Sequence, residues 1–106
     1  MPIIDISGLT ADEGDAKIRI RKDLRIFFGT LGFSEDSTSV TFATDDTIGP
    51  DEHVMARMYS KKFMQMDVSD LERMCDNVVA ILEKANHPFN EVFPIPVLAM
   101  IGRHNK

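Results

Sequence analysis

This chain can present a secondary amine at one place. Pro2 stands directly behind the initiator methionine and heads the apolar run Ile3-Ile4-Asp5-Ile6. Methionine ahead of a small residue such as proline is commonly removed, and its removal would leave a ring nitrogen free at the first residue of a strand. A free α-amino group titrates near ~8. Burial, or a cation nearby, penalises the charged form and draws that value toward neutrality, where the amine can take a proton from carbon. Proline is also tolerated at the head of a strand for backbone reasons alone. Both roles remain open for Pro2 on sequence alone.

A base of this kind works on a substrate that something else holds. A carboxylated substrate calls for a cation to grip it and to polarise the carbonyl beside the acidic proton. Lys61 and Lys62 leave the end of the third expected strand, and Arg57 lies within it. Tyr59, the one tyrosine, is a donor for a developing enolate oxygen, and Arg103 in the tail is a cation that a crossing tail would carry to a site between subunits. Each has a plainer reading. The lysine pair also fits a solvated strand end, Arg57 an ion pair between subunits, and Tyr59 the filling of an interface. His53, His87 and His104 show no metal-ligand spacing, so no metal is expected. Cys75 falls on an apolar stripe and reads as an inert buried thiol. There is neither a nucleophile-elbow serine nor a glycine-rich phosphate loop, so no cofactor is expected.

The elements that must position these groups fall into two similar halves, about 1–50 and 51–106. The first reads as strand 2–7, helix 11–31 and strand 37–44. The second reads as strand 53–60, helix 69–85 and strand 90–99. Thr10 with Glu13, and Ser69 with Glu72, have capping-box spacing. Ile20, Leu24, Phe27, Phe28 and Leu31 form one apolar stripe; Leu71, Cys75, Val78, Val79 and Leu82 form the other, with Met74 beside it. Gly32 stops the first helix, and Asn86 with Pro88 the second. A shift of 51 carries the first stripe onto the second, Ile3 onto Val54 and Phe42 onto Phe93, and makes Pro2 and His53 equivalent.

The expected fold is α+β. Two tandem βαβ units share a four-stranded mixed sheet, with both helices on one face. In strand three, Val54, Ala56, Met58 and Ser60 suit the helix side, while Arg57 and Tyr59 point to the bare side. A bare sheet with apolar character wants a partner, and a homo-oligomer is expected. Pro94 and Pro96 mark the last strand as an edge or as irregular.

Composition bounds the rest. At 106 residues and 43% hydrophobic, the chain is one folded domain, 1–106. A net charge of −5 argues against nucleic acid or an anionic membrane as main partner. No apolar run approaches the ~18 residues of a membrane span. The first apolar stretch is short and carries Asp5, so no signal peptide is expected. With Cys75 alone there is no disulfide framework. A cytoplasmic location fits.

A strand-leading Pro2 on a duplicated βαβ frame resembles the tautomerase superfamily, which includes macrophage migration inhibitory factor and 5-carboxymethyl-2-hydroxymuconate isomerase. Within it the chain looks most like a small bacterial branch. The segments that carry the likeness are Met1-Pro2-Ile3-Ile4, Leu31-Gly32-Phe33 leading into Thr38-Ser39-Val40-Thr41-Phe42, and Glu91-Val92-Phe93-Pro94-Ile95. The resemblance implies a βαββαβ fold, assembly as a trimer, and a catalytic amino-terminal proline. In isomerases the proline is a base that moves a proton along an enol or keto acid; in dehalogenase and hydratase members it is an acid. Asp36 sits near the aspartate of some dehalogenase members, in a segment that also reads as an ordinary polar turn.

The anion clamps of better-known members are missing. Ser7-Gly8-Leu9-Thr10 stands where isomerases of the 4-oxalocrotonate type carry an arginine. Phe33 stands where the migration-factor type carries a lysine, and Phe93 and Ile95 fall near its last-strand tyrosine and asparagine. The alternatives are a catalytically inactive oligomeric scaffold and a small-ligand-binding protein. A ferredoxin-like regulatory domain shares the βαββαβ string. Its sheet has strands one and three as central neighbours, whereas the tautomerase frame pairs strands one and two in parallel.

Overall fold

The computed structural model describes residues 2–33, 38–43, 53–88 and 90–96. The elements run β1 (Ile3–Ser7), α1 (Gly14–Thr30), β2 (Ser39–Phe42), β3 (Val54–Ser60), a short 3-10 helix (Lys61–Gln65), α2 (Val68–Lys84) and β4 (Asn90–Pro96). The sheet order is β2-β1-β3-β4. β1 pairs with β2 in parallel and with β3 antiparallel, and β3 pairs with β4 in parallel. This is the α+β architecture expected, a four-stranded mixed sheet with two helices.

Strand alternation decides what is covered. Ile4 and Ile6 of β1, Val40 of β2, and Val54, Ala56 and Met58 of β3 all turn to one face and are buried. There they form one core with Ile20, Leu24 and Phe28 of α1 and Met74, Val78 and Leu82 of α2. The other face carries Ile3, Asp5, Thr41, Met55, Arg57 and Phe93, all half-buried or exposed. Both helices therefore cover one face.

Each helix ends in the same way. At the end of α1, Phe33 N–H donates to Phe28 C=O and Gly32 N–H to Gly29 C=O, with Gly32 at φ 94°. At the end of α2, His87 donates to Leu82 and Asn86 to Glu83, with Asn86 at φ 69°. These are two Schellman motifs, made by the stop residues read from the sequence.

The starts differ from expectation. Thr10 to Glu13 forms a turn, with Glu13 N–H on Thr10 C=O and Thr10 N–H on Glu13 Oε2 at 2.9 Å, and α1 begins only at Gly14. Glu13 thus makes the reach-back half of the capping box ahead of the helix. Ser69 is not a cap. Asp67 takes the N-cap position, Leu71 N–H donates to its carbonyl, and Ser69 lies in the first turn.

The internal shift is also corrected, from 51 to 54. The buried triads Ile20, Leu24, Phe28 and Met74, Val78, Leu82 stand 54 positions apart, as do the helix starts Gly14 and Val68 and the stops Gly32 and Asn86. Buried Leu9 and Phe63 obey the same shift. An odd shift turns every strand side chain to the opposite face. Ile3 is on the bare face while Val54 is buried, and Phe42 packs on the core while Phe93 is exposed, so neither pair is equivalent. Pro2 lies in the buried row and His53 in the row of the bare face, so these two are not equivalent either.

Candidate functional site

Pro2 is fully buried. Two residues ahead of Ile4, it continues the row that faces the helices, and its carbonyl accepts a 3.0 Å hydrogen bond from Ser39 N–H. β1 lies inside the sheet, flanked on both sides, and a proline is tolerated at the head of such a strand. The register that pairs Ile3 with Ser39 and with Tyr59 sets Pro2 level with Thr38 on one side and Ser60 on the other. Thr38 and Ser60 are the two buried polar side chains among the described residues. Hydroxyls in an otherwise apolar layer thus gather around Pro2, a feature that sequence reasoning missed. The clue available was the polar pair Thr38 and Ser60 at core-facing strand ends.

Ser60 also explains the chain's path beyond β3. Its Oγ accepts from Lys62 N–H at 3.2 Å and caps the short 3-10 helix, which the sequence pattern did not announce. Lys61 and Lys62 consequently emerge at the Pro2 end of the sheet. Both are exposed. Lys62 folds back over α1: its Nζ lies 4.6 Å from the centre of the Phe33 ring and 3.4 Å from the Leu31 carbonyl oxygen. Phe33 in turn meets Phe28 and Phe63 edge to face, at centroid separations of 5.6 and 6.5 Å.

The other candidates lie elsewhere. Arg57 stands opposite Asp5, on the bare sheet face and exposed. Three residues of strand separate that level from Pro2, about 10 Å at the usual rise. Within one chain Arg57 is not brought to Pro2. Tyr59 stands between Ile3 and Ile95 on the same bare face, half-buried. Asp36 and Arg103 lie outside the described residues. Asp5 accepts a hydrogen bond from Thr41 Oγ1, so the middle of the bare face runs Thr41, Asp5, Arg57, Phe93 across the four strands.

His53 Nε2 lies 3.3 Å from Glu91 Oε1, and His87 Nε2 lies 3.1 Å from Glu13 Oε1. Among the described residues no group of three or more His, Cys, Asp or Glu could hold a metal ion. Cys75 is half-buried, and burial together with the Asp76 carboxylate pushes its thiol pKa up. Among the same residues no helix is long and apolar enough to cross a membrane. Comparison with known proteins finds no matching family model and no matching curated protein.

Proposed function

We propose that this chain is a tautomerase-like isomerase in which removal of Met1 frees the Pro2 nitrogen to move a proton on a small carboxylated enol or keto acid. The observation that supports this most is the placement of Pro2, fully buried at the head of an interior strand with Lys61 and Lys62 emerging at the same end. Burial disfavours an ammonium, and a cation brought to it by Lys61, which follows Ser60 at the level of Pro2, does the same. The neutral ring nitrogen takes the proton from the enol oxygen or the carbon beside the carbonyl and returns it to the alternative position. Lys61 grips the carboxylate and stabilises the negative oxygen that develops, while Lys62 is held over Phe33 on the other side of the strand end. The parallel pairing of β1 with β2 is the one the resemblance implies and supports this reading; β1 and β3 are also the central neighbours of the sheet, as in a ferredoxin-like domain, and they run antiparallel.

Assembly belongs to the same proposal. The protein is a homo-oligomer, with a trimer favoured by the resemblance, and protomers meet through the bare sheet face. Ile3, Met55, Tyr59, Phe93 and Ile95 supply its apolar contact, while Asp5 and Arg57 fix its register. A scaffold without catalysis is the second reading, and it is favoured by this face alone.

The assay is enol–keto conversion of phenylpyruvate, with isomerisation of 2-hydroxymuconate beside it, on protein whose intact mass shows Met1 removed. Pro2→Gly, which replaces the rigid secondary amine with a primary amine on a flexible residue, lowers the rate by roughly a hundredfold or more, the usual contribution of a positioned base. Pro2→Ala leaves a primary amine on a less flexible residue and retains more of the rate. Rates that ignore both substitutions leave the scaffold reading.

A further inference from the structure

Between the last turn of α1 and the first half of α2 lies an open groove of about 370 Å³. Its floor is apolar, made by Phe27, Leu31, Phe33, Met66 and Met74, and Pro2 does not line it. The volume falls in the range of small-molecule sites, which combine an apolar lining with a few placed polar groups. Two methionines make such a floor adaptable in shape.

The groove has an uneven charge. Arg73 on the α2 wall is neutralised by its own neighbour, with Nη2 2.6 Å from Asp70 Oδ1. Lys62 on the facing wall is different. Its ammonium meets the Leu31 carbonyl and the Phe33 ring, and among the described residues no carboxylate pairs with it. An ammonium thus stands at the rim of an apolar floor, in a chain whose net charge is −5. The group that complements it is an anion carrying an apolar body.

We propose that this groove binds a small aromatic carboxylate, with the carboxylate on Lys62 Nζ and the ring on Phe27, Leu31 and Met66. The site stands apart from the chemistry at Pro2. Lys62 already stacks on one aromatic ring, and a second ring entering the groove extends that aromatic surface. A plain helix cap is the competing role for Lys62, and it requires no ligand.

The test follows the methyl resonances of Met66 and Met74 by NMR while 4-phenylbutyrate, and separately its neutral amide, is added to the full chain. The carboxylate shifts both methyls saturably, and the amide binds at least about tenfold more weakly, the scale of a hydrogen bond to a charged group. Lys62→Gln weakens the carboxylate by roughly two- to fivefold and leaves the amide unchanged, the scale of an ion pair at a wet rim. Pro2→Gly changes neither, which separates this site from the proposed isomerase. Absence of saturable shifts, equal binding of acid and amide, or indifference to Lys62→Gln overturns the proposal. The acid and amide comparison on the unsubstituted protein decides between a ligand site and a plain cap whether or not the variant folds.

Discussion

The ammonium of Lys62 sits over the ring of Phe33 and against the carbonyl of Leu31, joining the end of β3 to the end of α1. The last turn of α1 carries no basic residue of its own, so Lys62 supplies the cation that a helix C-terminus favours. Lys62→Met is expected to lower stability by about 0.5–1 kcal/mol through loss of the dipole and ring contacts. Urea unfolding at neutral pH checks this. An unchanged midpoint would mean that the contact contributes nothing.

Gly8 and Gly14 make a paired prediction. Gly8 has φ 100°, and a Cβ placed there would collide with the carbonyl of His53. Gly8→Ala is expected to destabilise by on the order of 2–3 kcal/mol, combining a strained backbone with a backbone clash. At Gly14, in the first turn of α1, a Cβ meets nothing within 4 Å. Gly14→Ala should raise stability by about 0.4–1 kcal/mol by restricting the unfolded chain. For a domain of this size each kcal/mol moves the melting temperature by roughly 4–8 °C, so the two variants should melt on opposite sides of the parent.

The contrast between those glycines shows where sequence was legible. Gly32 and Asn86 were readable as stops because both follow an apolar stripe, and both take positive φ in the structure. Pro94 and Pro96 were readable as edge residues because a ladder cannot use them, and β4 is an edge. The repeat shift was readable in kind and misread in amount. Leu71, Cys75 and Val79 lie on the flank of α2, whereas Met74, Val78 and Leu82 face the core. Strand parity carried the missing information, since only an even shift keeps Ile4 and Ile6 on the buried side. The surroundings of Pro2 and the groove were not legible. They join Thr38 to Ser60, and Leu31 to Lys62 and Met66, across separations that no local spacing records.

Cys75 should be a sluggish nucleophile. Burial and Asp76 both disfavour its thiolate and raise its pKa. Alkylation by iodoacetamide at pH 7.5 should therefore run slower in the folded protein than in urea. The sign for stability follows. A thiol whose folded pKa exceeds its unfolded value favours folding below the unfolded value, and this contribution is lost as pH rises through the folded one. Cys75→Ser should flatten that alkaline decline. Equal alkylation rates in folded and unfolded protein would contradict the assignment.

The bare sheet face gives a prediction about assembly. Phe93 is 41% exposed and stands beside Arg57 in the register. If protomers meet there, Phe93→Asp should shift the sedimentation coefficient to that of a monomer, since it buries a charge in an apolar contact. Ile18→Asp, on the outer face of α1 where Ile18 is 65% exposed, should leave assembly intact. A parent protein that sediments as a monomer at micromolar concentration would remove the interface.

The proposed chemistry rests on one nitrogen, and titrating it is the most direct test. NMR of the mature protein, labelled at Pro2 with nitrogen-15, follows protonation of the ring amine. The expected result is a free amine whose pKa lies below the ordinary ~8 of an α-amino group, because Pro2 is buried and Lys61 leaves the strand end at its level. A nitrogen still acylated by Met1, or a pKa at or above that ordinary value, would contradict it.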